Sequence, residues 1–318
     1  MHGLVSLNYI SEFFFSNEKF AFQTNEIIPK LNEYDYKEYG IFFEILLTLI
    51  IEIFLEIKNF SEIFHARHFL NHLLFIISVI CFYFLCLNIF KNKIYSFFGA
   101  AILYTSPRIF GNSFYNDKDL VFLSFFIFLI FFSIKFLKKP EYHNVLLLSF
   151  FSAIATNIRV IGIYVFFLVA LFLFFQILMK NKFNLKKINL LVIIFFSNFA
   201  FLYVIWPFLW EAPFENILYA LKSFSKYSWG GNVFYLSNFY KAEFLPWHYL
   251  IIYFFATTPI LLSSIIFLGI YQIIFRFIKR FISIDKNNSY KDIWRGEKEK
   301  IFLFIFFSVA TPLLSIYF

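Results

Sequence analysis

The chain has 318 residues, of which 61% are hydrophobic and only 15% are charged. Soluble domains carry roughly a quarter charged residues, so this composition excludes an ordinary soluble globular protein. The net charge of +8 is spread over separate segments instead of forming one basic face, which argues against nucleic-acid binding and favours a protein that contacts membrane lipids.

Residues 1–67 are predicted to form an outer, periplasmic segment. Within them, 41–57 is apolar but carries Glu44, Glu52 and Glu56, so we expect an amphipathic helix in the outer interface with its acids turned to water. Nothing in this segment resembles a signal peptide. We therefore expect a membrane helix upstream of Met1 and interpret the chain as a fragment at both ends.

Eight apolar segments follow, which predicts an all-α, polytopic transmembrane helix bundle over residues 68–318. A straight span needs about 20 apolar residues, with a range of roughly 17 to 25, so the segments 94–107 and 143–156 are too short and are expected to be half-buried beside a cavity. The segments are 68–90, 94–107, 120–137, 143–156, 160–179, 188–207, 249–275 and 301–318.

Histidines and cysteines, the residue types that bind metals or form disulfides, lie in the first span and just before it. His68 and His72 are four residues apart, but no third ligand other than His65 lies nearby, so neither a metal nor another cofactor is predicted. Cys81 and Cys86 lie inside the same apolar span and are interpreted as packing residues.

The loop after the second span concentrates charge, with Arg108 and Lys118 beside Asp117 and Asp119. Asp119 begins the next span, where a helix N-terminus favours a carboxylate. One interpretation is a capped, solvated turn. The other is a site that binds a charged headgroup or orders an acceptor.

Two arginines are predicted at membrane boundaries. Arg67 precedes the first span, and Arg159 ends the sequence Thr156-Asn157-Ile158-Arg159 between two later spans. A charge at this depth is costly unless it pairs with an anion. The arginines either reach lipid headgroups or grip a phosphate of a lipid-linked substrate, which suits the planar guanidinium.

The outer loop 208–248 is bounded by aromatic sequences. It follows Trp206 and leads into Trp247, His248 and Tyr249, and 214–228 is predicted to be an amphipathic interfacial helix. One interpretation is an aromatic belt at headgroup level, where Trp and Tyr concentrate. The alternative is a sugar-stacking lid over a cavity.

The distribution of Lys and Arg predicts the orientation of the bundle. More than half of the 28 basic residues lie in four alternate loops, and the positive-inside rule assigns these loops to the cytoplasm. The chemistry is therefore expected at the outer face. The four loops lie at 91–93, 135–139, 180–187 and 276–300.

These features together resemble a known family. The resemblance is to the polytopic glycosyltransferases of the GT-C superfamily, in particular family 39, which contains protein O-mannosyltransferases and lipid A aminoarabinose transferases. It runs from about residue 2 to residue 312. It is carried by Arg67, the loop from Pro107-Arg108 to Lys118-Asp119, Thr156-Asn157-Ile158-Arg159, and Pro246-Trp247-His248-Tyr249-Leu250.

The resemblance implies transfer of a sugar from a polyprenyl-phosphate donor to a lipid, glycan or protein acceptor at the outer membrane face. It also implies a bacterial inner membrane with the active site facing the periplasm. Asp119 is assigned a supporting catalytic role. Substrate binding is assigned to Arg67, Arg108, Lys118, Arg159, Trp247, His248 and Tyr249.

One part of the family pattern is not found in this sequence. Members often carry their general base in an Asp-Glu pair in the first outer loop, and no such pair precedes residue 68 here. His2-Gly3 is interpreted as the tail of that motif. A lipid-linked sugar flippase or transporter, or a non-catalytic subunit or truncated remnant, remain the alternative functions.

Overall fold

A computed structural model describes residues 5–6, 9–10, 30–34, 37–178, 185–225, 230–282 and 297–315. Over these ranges the chain is mostly helical, which confirms the predicted all-α membrane helix bundle. Two compact units divide the chain, one of residues 1–177 with 182–222 and one of residues 178–181 with 223–318. Most of the predicted outer segment before residue 30, the middle of the basic loop 276–300 and the end of the last predicted span lie outside the described residues.

From residue 42 onward, twelve α-helices follow one another in the described ranges, and most of them coincide with a predicted span. They are α1 (Phe42–Thr48), α2 (Phe60–Phe90), α3 (Lys93–Thr105), α4 (Pro107–Tyr115), α5 (Asp119–Lys138), α6 (Tyr142–Ile158), α7 (Gly162–Leu178), α8 (Leu185–Ile205), α9 (Pro213–Ser225), α10 (Tyr249–Thr257), α11 (Ile260–Ile282) and α12 (Glu297–Ser315).

Polar residues between the apolar runs set several helix ends. Asn59 Oδ1 accepts a hydrogen bond from the Ser61 backbone N–H at 3.1 Å, so α2 starts about two turns before the predicted span at 68. Asn92 caps α3 in the same way, since its Oδ1 accepts from the Ile94 N–H at 2.9 Å. The extra turns of α2 carry Arg67.

The predicted span 249–275 is the one that the structure divides. Thr258 has an extended backbone, with φ −112° and ψ 130°, and Pro259 follows it. The ring of a proline disfavours the helical conformation of the residue before it, and proline donates no backbone hydrogen bond. The apolar run therefore forms two helices, α10 and α11.

Three helices in the described residues are long and apolar enough to cross a membrane, namely α2, α5 and α8. The other predicted spans form shorter apolar helices, such as α7, or a part of a longer one, such as Ile260–Arg276 of α11. The composition of the chain therefore predicted apolar helices correctly, and three of the predicted spans meet the length of a membrane crossing within the described residues.

The core of the first unit lies where α6 packs between α5 and α8. Small residues on α6 allow the close approach of helices that is common in membranes, and Ser197 of α8 donates a hydrogen bond to Ser149 of α6 at 2.7 Å. Leu129, Leu148 and Ile194 are fully buried in this core.

Helices α2 and α5 pack together and run in the same direction. At their C-terminal ends, the Lys138 ammonium donates to the Asn88 backbone carbonyl at 3.2 Å. At their N-terminal ends lie Arg67 and Asp119. The two ends of this helix pair thus carry different polar groups, and the N-terminal ends hold the candidate site.

The second unit contains a β-hairpin before α10. Strands β1 (Asn232–Tyr235) and β2 (Asn238–Lys241) are antiparallel, with Phe234 opposite Phe239. Leu236 and Ser237 make the turn between them, both with positive φ, as tight two-residue hairpin turns require.

Candidate active site at the N-terminal ends of helices α2 and α5

An ion cluster centred on Arg67 joins three separate segments of the chain. Arg67 Nη2 donates to Glu44 Oε1 at 2.9 Å and Oε2 at 2.7 Å, and it lies 3.3 Å from Asp117 Oδ2. Glu44 belongs to α1, and Asp117 belongs to the turn between α4 and α5. Opposite charges in partial burial make these bonds stronger than bonds between neutral groups, so the cluster fixes the three segments to one another.

A cavity of about 250 Å³ opens beside this cluster. Two carboxylates and two cations face it from different segments, together with apolar and aromatic side chains. Its lining consists of Tyr39, Gly40, Phe43, Glu44, Arg67, Asp117, Lys118 and Ile158. The Lys118 ammonium lies 4.4 Å from the centre of the Tyr39 ring, which is a cation–π distance. The cavity therefore offers both signs of charge within a small volume.

Asp119 and Arg159 form a second ion pair directly beside the lining residues Lys118 and Ile158. Arg159 Nη2 lies 2.5 Å from Asp119 Oδ1. Asn116 supports this pair, because its side-chain oxygen accepts from the Asp119 backbone N–H at 2.8 Å and its Nδ2 donates to Asp119 Oδ2 at 3.3 Å. Both carboxylate oxygens of Asp119 are thus engaged, which fixes this residue at the start of α5.

The structure brings together four of the eight predicted site residues. Arg67 and Lys118 line the cavity, and Asp119 and Arg159 pair beside it. Arg108 lies on α4, exposed, and is not part of the cavity lining.

The three aromatic residues predicted for substrate binding lie in the second unit. Tyr249 packs edge-on against Tyr235 of the hairpin at 5.1 Å, and His248 lies 5.8 Å from the same ring. Trp247 leaves 74% of its surface exposed. Within that unit, aromatic side chains therefore cluster around the start of α10, and their contact with a substrate stays a prediction.

Glu44 and Asp117 are the cavity carboxylates that sequence reasoning did not assign to the site. Glu44 was expected to face water, whereas its side chain is only 20% exposed and paired with Arg67. The sequence did indicate that Arg67 needs an anionic partner, because an unpaired arginine at a membrane boundary is costly. The sequence did not identify the anion, because Glu44 and Asp117 lie 23 and 50 residues from Arg67.

The histidines of α2 pack with aromatic and hydroxyl groups. His72 Nδ1 lies 2.8 Å from Ser113 Oγ, and its ring stacks on Phe114 at 4.2 Å. His68 packs against Phe64 at 4.0 Å. Among the residues that the structure describes, no group of three or more His, Cys, Asp or Glu side chains is placed to hold a metal ion.

Comparison with known proteins places this arrangement in a family. The sequence model of the family described as dolichyl-phosphate-mannose-protein mannosyltransferase matches residues 45–206, which is half of the chain. This match includes Arg67, Lys118, Asp119 and Arg159 and ends before the aromatic residues of α10. No curated protein and no solved structure matches the chain. The predicted resemblance is confirmed: the chain belongs to the dolichyl-phosphate-mannose-protein mannosyltransferase family of GT-C type membrane glycosyltransferases.

Proposed function

We propose that this chain transfers a sugar from a polyprenyl-phosphate donor to a lipid, glycan or protein acceptor at the outer face of the membrane. Membership of the family supports glycosyl transfer from a lipid-linked donor in general. The observation that carries the proposal is the cavity in which Arg67 and Lys118 meet Glu44 and Asp117.

The two cations suit the leaving group of this reaction. When the bond between the sugar and the phosphate breaks, the polyprenyl phosphate departs with negative charge, and preorganised cations lower the energy of that step. Glu44 engages only Nη2 of Arg67 in the described part of the chain. The other N–H groups of this guanidinium remain for a phosphate, while Lys118 adds a second positive charge.

The carboxylates suit the acceptor. As the acceptor oxygen bonds to the anomeric carbon of the sugar, its proton must pass to a base. Asp117 is the candidate, because its side chain is 39% exposed, lines the cavity and uses Oδ2 for its ion pair with Arg67. Asp119, with both oxygens engaged, takes the supporting role of fixing the turn that presents Asp117 and Lys118.

The orientation of the bundle supports an outer site. Lys138 lies at the end of α5 opposite the cavity, within one of the basic loops that the positive-inside rule assigns to the cytoplasm. In a bacterial inner membrane the cavity would then face the periplasm. Arg108 and the aromatic residues Trp247, His248 and Tyr249 remain proposed contacts for the substrate outside the cavity lining.

The proposal is tested with the full chain in proteoliposomes that contain radiolabelled polyprenyl-phosphate mannose and a membrane extract as the source of acceptors. We expect label to move from the polyprenyl lipid to the acceptor fraction in the wild type. The control variant Glu62→Gln should move label as the wild type does, since Glu62 is an exposed acid of α2 outside the cavity lining. Label that crosses the bilayer still attached to polyprenyl phosphate would instead identify a transporter.

A further inference from the structure

The last turn of α6 contacts the segment that carries Glu44. The Phe42 backbone N–H donates a hydrogen bond to Asn157 Oδ1 at 2.9 Å, across 115 positions of sequence. Asn157 is 1% exposed. Phe42 is the first residue of α1, and Glu44 follows in the same turn. The side chain of Asn157 therefore fixes the point at which the helix bearing Glu44 begins.

Gly40 makes the second contact between the same two segments. A Cβ atom at this position would lie 1.4 Å from the Asn157 backbone oxygen and 2.2 Å from its carbonyl carbon. Backbone atoms of a helix end cannot move away as a flexible side chain does, so only glycine allows this approach. The close approach of Gly40 and the hydrogen bond of the Phe42 N–H together hold residues 40–42 against Asn157.

The residues that follow Asn157 lead directly to the other half of the site. Ile158 lines the cavity, and Arg159 pairs with Asp119. Three consecutive residues at the end of α6 thus contact the Glu44 segment, the cavity and the start of α5. Residues 157–159 therefore connect the segment that carries Glu44 with the ion pair between Arg159 and Asp119.

We propose that Asn157 is a positioning residue that sets where the Glu44 carboxylate meets Arg67. Its effect on catalysis rests on the proposed function, while its effect on the segment does not. Without the Asn157 oxygen, the Phe42 N–H loses its partner, and an unsatisfied buried donor is costly. Residues 40–44 then shift, Glu44 no longer orients Arg67, and Arg67 no longer presents its free N–H groups to the phosphate.

Two variants separate the amide oxygen from the rest of the side chain. Asn157→Asp keeps an oxygen acceptor for Phe42 and replaces the amide nitrogen, which has no hydrogen-bond partner in the described part of the chain, with the second oxygen of a buried acid. Asn157→Leu has similar volume but no acceptor. Thr156→Val is the control, because Thr156 is equally buried beside it and its hydroxyl has no partner among the described residues.

The experiment measures amide hydrogen exchange at residues 42–45 and steady-state sugar transfer on the same full-length preparations. In Asn157→Leu we expect exchange at these amides to rise about tenfold, because one buried hydrogen bond is lost. We expect kcat to fall about tenfold, because the displaced N–H groups of Arg67 stabilise the departing phosphate less well. The KM for polyprenyl-phosphate mannose should rise as well, because the same groups bind the donor phosphate. Asn157→Asp should recover part of the loss in both values, because its oxygen still accepts from the Phe42 N–H while the buried acid adds a desolvation cost. Thr156→Val should change neither value.

Several outcomes decide the proposal. Equal behaviour of Asn157→Leu and Asn157→Asp would overturn it, as would faster exchange with an unchanged kcat. If Asn157→Leu does not fold, Gly40→Ala perturbs the same contact from the other side and should give the same exchange and kcat changes. If the wild type transfers no sugar, the proposed function fails, and the exchange comparison alone decides whether Asn157 holds the segment.

Discussion

Arg67 and Glu44 meet through a single guanidinium nitrogen, with Arg67 Nη2 donating to both carboxylate oxygens of Glu44 at 2.9 and 2.7 Å. Their side chains are 28% and 20% exposed, whereas those of Arg159 and Asp119 are 42% and 60% exposed. Water weakens an ion pair by solvating and screening its charges. The two pairs beside the cavity should therefore differ in what they contribute to stability.

Double-mutant cycles on the two pairs measure that difference. We expect Arg67→Ala with Glu44→Ala to give a coupling energy of about 1–3 kcal/mol, as for charged hydrogen bonds in partial burial. For Arg159→Ala with Asp119→Ala we expect only about 0.2–1 kcal/mol, as for exposed pairs. The free energies of unfolding are compared in the same detergent micelles. A larger coupling for the Arg159–Asp119 pair would contradict this assignment.

The weak coupling of Arg159 and Asp119 makes them suitable for a test of function. Because both are largely exposed, Asp119→Asn and Arg159→Ala should leave the protein folded. Each should still cut sugar transfer at least about tenfold, since the turn that presents Asp117 and Lys118 loses its support. Transfer rates and melting temperatures are measured together. Unchanged turnover in both variants would remove this pair from the site.

Asp117 is expected to act on the chemical step. In Asp117→Asn the carboxylate that receives the acceptor proton becomes an amide, so kcat should fall about 100-fold while the KM for the donor stays constant. Asp117→Glu should recover part of the rate, because it retains a carboxylate. Steady-state kinetics on polyprenyl-phosphate mannose measure both constants. A wild-type kcat in Asp117→Asn would exclude it as the base.

Lys118 is expected to act on donor binding. Lys118→Ala removes one of the two cations of the cavity, and we expect the KM for the donor to rise about tenfold, as the loss of a charge-assisted hydrogen bond implies. Lys118→Arg should preserve most of the affinity. Lys93→Ala serves as the control, since Lys93 is an exposed lysine at the start of α3, next to the opposite end of α2. Equal KM values for Lys118→Ala and Lys93→Ala would refute the assignment.

Local sequence patterns predicted the helices well. The length of an apolar run depends only on neighbouring residues, so α2, α5 and α8 follow from the sequence. The division at Pro259 was also encoded locally, because proline disfavours a helical residue before it. The run 249–275 was nevertheless predicted as one span, because its overall hydropathy is high on both sides of Pro259.

The site required contacts that no local pattern contains. Physical reasoning indicated that Arg67 and Arg159 need anions, but their partners lie 23 and 40 residues away. Asn157 is more distant still from Phe42, at 115 residues, and its bond is to a backbone N–H that carries no sequence signature. Only the packing of α6 beside α1 brings these groups together.

Photo-crosslinking shows whether the cavity beside Arg67 holds the phosphate of a lipid-linked sugar donor. A polyprenyl phosphate with a diazirine next to the phosphate is bound to the full chain in nanodiscs, and the labelled peptides are identified by mass spectrometry. We predict labelling at residues 39–44 and 117–118 that excess unlabelled polyprenyl phosphate suppresses and that Arg67→Ala diminishes. Labelling confined to other segments, or labelling that Arg67→Ala leaves unchanged, would contradict this position of the phosphate.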